Sequence, residues 1–132
     1  MKKVPYLLAG FLVLMVACKK DSPSSASRDV TLTYEVITTS GTWFGEYNDQ
    51  SGTRINTKPT EQAPVLQSGW KFNFKPQSHP FEMFINASST CICMGTPTSP
   101  DVTINLYVDG NLVKTATNNW TKGQAAISYD VQ

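Results

Sequence analysis

From Val30 to the end of the chain, apolar and polar residues alternate with a period of two. Successive side chains of a strand point to opposite faces, so this pattern predicts half-buried β-strands rather than helices. Val30, Leu32, Tyr34 and Val36 make one apolar face, and a second strand from Thr42 to Tyr47 puts Trp43, Gly45 and Tyr47 on one side. The short turn through Thr39 to Gly41 suggests that these two pair as an antiparallel hairpin. Trp70, Phe72 and Phe74 mark a further strand, and Phe81, Met83, Ile85 and Ala87 mark another after a turn from Pro76 to Pro80. Val102, Ile104, Leu106 and Val108 run into Asp109-Gly110, a tight-hairpin signal because glycine takes a positive φ without a Cβ clash. Asn111 to Thr117 is the return strand, and Ala125, Ile127, Tyr129 and Val131 form the apolar side of the last one.

Between these strands, Thr53 to Ser68 carries Pro59 and Pro64 and reads as a long loop, with Ile55 or Val65-Leu66 available for a short edge strand. Gly95 to Asp101 and Asn118 to Gly123 are further loops. The expected fold is all-β, a small antiparallel sandwich of about seven strands, with the longer loops crossing between two sheets. Its expected core is Leu32, Tyr34, Val36, Trp43, Trp70, Phe72, Phe74, Met83, Ile85, Ile104, Leu106, Val108 and Ile127.

The amino-terminal residues follow a different pattern. Lys2 and Lys3 precede a run of twelve residues, Tyr6 to Ala17, that is almost wholly apolar. As a helix it would reach about 18 Å, short of a hydrocarbon core of roughly 30 Å. The run ends in M-V-A-C-K-K-D, which resembles the lipobox of bacterial lipoproteins, with Met15 where leucine is usual. The resemblance implies cleavage before Cys18 and a diacylglycerol on its thiol, which anchors the chain to a membrane. Residues 1–17 are then a signal peptide, and 18–29 are a lipidated cysteine and a tether without large apolar residues. Residues 30–132 are the folded domain. The run C-K-K-D followed by serines resembles lipoproteins of the Bacteroidetes group, which implies a bacterial cell envelope and, within it, the outer membrane.

Composition narrows the function further. The 132 residues are enough for one small domain. Lysine and arginine number 11 against 10 acidic residues, and from Val30 onward the balance is six basic to eight acidic. No concentrated basic face is available for nucleic acid. One histidine and no recognisable nucleophile, zinc or phosphate-loop motif make an enzyme an unfavourable reading, and no cofactor is expected.

The stretches V-T-L-T-Y-E-V-I-T-T-S-G-T-W-F-G-E-Y, S-G-W-K-F and V-T-I-N-L-Y-V-D-G-N-L-V resemble the mycobacterial membrane protein small family, MmpS, over most of residues 30 to 131. The resemblance implies an extracytoplasmic sandwich of immunoglobulin-like architecture that serves as an accessory to an envelope transporter. Members of that family keep an uncleaved membrane helix, and their cysteines sit in other strands than Cys91 and Cys93 do here.

Three groups of residues are candidates for specific roles. Cys91 and Cys93 would face the same way in a strand, with Cα atoms about 6.5 Å apart, within disulfide range. A local disulfide, free or intermolecular thiols, and soft ligation of copper by Cys91, Cys93 and Met94 are the alternatives. The carboxylates Glu35, Glu46 and Glu82 are expected on outward faces in solvent. Phe44 and Phe84 are outward on their strands and Trp120 lies in a loop, so each needs either a cover or a partner. The function expected is a binding or assembly module. A redox or copper-binding lipoprotein and a purely structural lipoprotein are the alternatives.

Overall fold

The computed structural model describes residues 29–59, 65–90 and 99–132. Nine strands lie among them: β1 (Leu32–Thr38), β2 (Thr42–Asn48), β3 (Arg54–Asn56), β4 (Leu66–Gln67), β5 (Trp70–Phe74), β6 (Phe81–Ser89), β7 (Val102–Val108), β8 (Asn111–Thr117) and β9 (Gln124–Val131). They form two antiparallel sheets. One has the order β5-β1-β7-β8; the other has β3-β2-β6-β9, with β4 also paired to β2. The all-β sandwich expected from the alternation is the fold, and both candidate edge segments in the long loop, around Ile55 and at Leu66, become short strands beside β2.

The inward faces of the two sheets share one core. Leu32, Tyr34, Val36, Val102, Ile104 and Leu106 come from the first sheet, and Trp43, Phe81, Met83, Ile85, Ala87, Ala125, Ile127 and Val131 from the second. Burying a leucine or isoleucine fully stabilises by about 1.5–3 kcal/mol, so the alternation itself is the main instruction for the fold. Three expected core residues, Trp70, Phe72 and Val108, are only half-buried. Trp70 and Phe72 lie on β5, an edge strand with a neighbour on one side. Their rings close the open flank of the sandwich instead, Trp70 lying 5.2 Å from both Trp43 and Tyr47, and Phe72 lying 5.2 Å from Tyr47 and Phe74.

The first hairpin is not formed. β1 pairs with β5 and β7, while β2 pairs with β3, β4 and β6 in the other sheet. The turn at Ser40-Gly41, where Gly41 takes a φ of 84°, carries the chain across the sandwich. Alternation marks which side chains face the core, and both sheets face the same core, so it does not distinguish a hairpin from a crossing. The Asp109-Gly110 hairpin is present, with positive φ at both residues, and a register shift falls between Leu106 and Tyr107.

β1 is bonded on both sides, and the chain leading into it is clamped as well. Thr31 N–H donates to the Asp109 carboxylate at 2.9 Å, and Asp109 N–H donates back to the Thr31 carbonyl at 2.8 Å.

Candidate functional site

Period two sends Phe44 and Glu46 of β2, and Phe84, Asn86 and Ser88 of β6, to the outer face of the second sheet. The register sets Phe44 opposite Ser88 and Glu46 opposite Asn86, so these side chains are cross-strand neighbours. Asn86 Nδ2 donates to Glu46 Oε1 at 3.0 Å, and an Arg54 guanidinium nitrogen donates to the same oxygen at 3.3 Å. Glu46 is therefore fixed by two donors, where the sequence suggested an ordinary solvated carboxylate.

Trp120 reaches this face from the loop between β8 and β9. Asn118, at a φ of 45°, accepts the Val102 N–H at its side-chain oxygen at 3.0 Å and donates to Asp101 at 2.6 Å. Asp101 also pairs with Lys122. Asn119 bonds the backbone of Ala126 in both directions, and Gln124 N–H donates to the Thr121 carbonyl at 2.8 Å. The loop is thus tied on both sides of Trp120, yet the residue itself is 71% exposed. An indole in that position does not cap the end of the sandwich.

Residues from both strands and from the Trp120 loop line a cleft of about 500 Å³. Phe44, Glu46 and Asn86 lie along its central strands, Asn56 and Lys58 on the β3 side, and Trp120 and Gln124 on the β9 side. Phe44 and Trp120 therefore share one site. Phe84 does not line it. The Arg54 guanidinium lies 3.7 Å from the centre of the Phe84 ring, so the cover that this outward phenylalanine needs comes from β3.

The other sheet has a polar outer face of a different kind. Glu35 is 9% exposed and accepts hydrogen bonds from Tyr107 Oη at 2.6 Å, Asn105 Nδ2 at 2.9 Å and Lys71 Nζ at 3.0 Å. Burial alone would raise the carboxyl pKa, but bonds from Tyr107, Asn105 and Lys71 more than offset it and hold Glu35 below its ordinary value. This corrects the expectation of a solvated Glu35. Its oxygens are taken up by the protein, and the cluster is a structural knot between β5, β1 and β7.

Cys18, Cys91 and Cys93 lie outside the described residues. Among the described residues no group of three or more histidine, cysteine, aspartate or glutamate side chains could hold a metal ion. His79 lies in the turn before β6, as its surrounding prolines suggest.

Phe44 and Trp120 were recognisable in the sequence as aromatic residues needing an explanation. Asn56, Lys58, Asn86 and Gln124 were not, because isolated polar residues on outward strand positions are unremarkable. Parity could have found Asn86, since 84, 86 and 88 share a face, as 44 and 46 do. Compared with family models and with curated proteins, the chain matches none.

Proposed function

We propose that the chain is a non-enzymatic lipoprotein of the bacterial cell envelope, anchored through Cys18, whose sandwich acts as a binding module through the outer face of the five-stranded sheet. The observation that carries this reading is the shared cleft of Phe44 and Trp120, with Trp120 held by a tied loop and left largely in solvent. An exposed tryptophan on an ordered support is the kind of group that dominates contact surfaces. The lipobox-like M-V-A-C supports the anchor, and the resemblance to the MmpS family supports service as an accessory to an envelope transporter. Two or three acyl chains, at about 0.8 kcal/mol per buried CH₂, hold such a module firmly at a membrane.

Both halves of the proposal are open to test. Metabolic labelling with a fatty acid should mark the wild-type chain and leave Cys18→Ser unlabelled; labelling of the variant would remove the anchor. Capture from solubilised envelope should then be compared between the full chain and Trp120→Ala. A component retained by the first and lost by the second supports the binding face, and identical recoveries defeat it.

A further inference from the structure

Resting on the reading of this face as a binding surface, we infer that the cleft between Phe44 and Trp120 takes a glycan, with a pyranose ring set against the Trp120 indole. The first ground is that the cleft lies on a sheet face rather than at an edge. Peptides most readily join a sheet by adding a strand to free backbone groups. Here β2 and β6 are paired to each other through the cleft, and the Gly45 N–H donates to Thr57 Oγ1 at 2.8 Å. The nearby edge of β9 is met at Ala126 by Asn119. Recognition at this site therefore falls to side chains.

The second ground is the chemistry of those side chains. Phe44 and Trp120 offer flat apolar surfaces, the Lys58 ammonium donates, and Glu46, Asn56 and Asn86 carry polar groups beyond those already used in the bonds to Glu46 Oε1 and Asn56 Oδ1. The matching ligand has an apolar C–H face and a rim of groups that donate and accept in turn. A pyranose ring is such a molecule. An acyl chain would cover the polar groups of Glu46, Asn56, Lys58 and Asn86 and give them no partner. A phosphate-rich ligand would meet the carboxylate of Glu46 in the same cleft as Lys58, and would find Arg54 already engaged with Glu46 and Phe84.

The third ground is preparation of the site. Glu46 is oriented by Asn86 and Arg54, and the Trp120 loop is fixed by Asn118 and Asn119, so little ordering remains to be done on binding. A cleft of about 500 Å³ lies within the range of small-ligand sites, and it suits a short oligosaccharide.

The test is an array of immobilised tri- to hexasaccharides, neutral and uronic-acid-bearing. It is probed with the full chain purified in a sugar-free zwitterionic detergent and followed by titration calorimetry with the best soluble oligosaccharide. Trp120→Ala and Phe44→Ala should each weaken binding about tenfold, the scale of a lost aromatic contact. Leu112→Ala, on the other sheet and 55% exposed, should leave it unchanged. Glycan binding that is indifferent to Trp120 overturns the inference. A silent array beside an envelope protein captured in a Trp120-dependent manner also overturns it, while the binding face stands. A silent array with no Trp120-dependent capture removes both.

Discussion

Asn119 closes the outer edge of β9 by pairing both ends of its side-chain amide with the backbone of Ala126: Nδ2 donates to the carbonyl at 2.6 Å, and the Ala126 N–H donates to Oδ1 at 2.8 Å. The side chain does what a neighbouring strand would do. Lys114 extends the same protection, its ammonium donating to the Ser128 carbonyl at 2.8 Å. An open edge is a template for unwanted pairing, and these two residues blunt it. Because Asn119 precedes Trp120, the same amide also sets the loop that presents the indole.

Asn119→Ala should therefore have two effects. Loss of two hydrogen bonds is expected to cost about 1–2 kcal/mol, read as a lower urea midpoint. Hydrogen exchange at the Ala126 amide should accelerate, since its acceptor is gone. Asn119→Asp keeps an acceptor for that amide and should protect it better than alanine does.

Gly45→Ala tests a close approach between β2 and β6. A Cβ at this position would overlap the backbone carbonyl of Asn86, and backbone cannot rotate aside as a side chain can. The strands must part, which is expected to destabilise by about 1–3 kcal/mol or more. Chemical denaturation of the variant measures this, and an unchanged midpoint would show that the strands yield at no cost.

Tyr34→Phe isolates one bond across the sandwich. Tyr34 is fully buried, and its hydroxyl oxygen accepts the Phe84 N–H at 3.2 Å. The pairing of β2 with β6 ends nearby, at Tyr47 opposite Ile85. Phenylalanine keeps the ring contacts and removes the acceptor, so a loss of about 1–3 kcal/mol is expected from the unpaired amide. Burial also raises the Tyr34 hydroxyl pKa well beyond its ordinary range. Spectroscopic titration of the folded wild type should leave this tyrosine protonated while more exposed ones ionise.

Glu35 gives the fold a defined response to acid. Its carboxyl is held below the ordinary 4.5, so the unfolded chain takes up the proton more readily than the folded one. The stabilisation it supplies is present above pH 4.5 and is lost as the pH falls through the depressed folded value. Urea midpoints of the wild type should fall on acidification from about pH 5 to pH 3. Glu35→Gln should be the less stable protein at neutral pH, and its midpoint should vary less over that interval.

Much of the fold was legible because period two is a direct record of which side meets the core. Leu32, Met83, Ile104 and Ile127 were placed by it, and Asp109-Gly110 announced its own hairpin. The partnership of β1 was not legible, since Val36 and Trp43 face one core from opposite sheets. Trp70 and Phe72 looked like core residues because a strand pattern carries no sign of being an edge. At the site, Trp120 stood out by its type, whereas Glu46 and Asn86 became a pair only through a register between strands forty residues apart. Glu35 was misjudged for the same reason: Lys71 and Tyr107 come to it from two other strands.

The clamp between Thr31 and Asp109 has a mechanical consequence. Any load applied to the amino-terminal end of the domain enters through β1, a strand flanked by ladders to β5 and β7. A pull along β1 loads both ladders in shear, so their hydrogen bonds resist together instead of unzipping in succession. The two bonds between Thr31 and Asp109, and the ion pair of Asp29 with Lys75 ahead of them, add to that resistance. A domain held from this end can thus carry tension while the cleft, on the opposite sheet, keeps its shape.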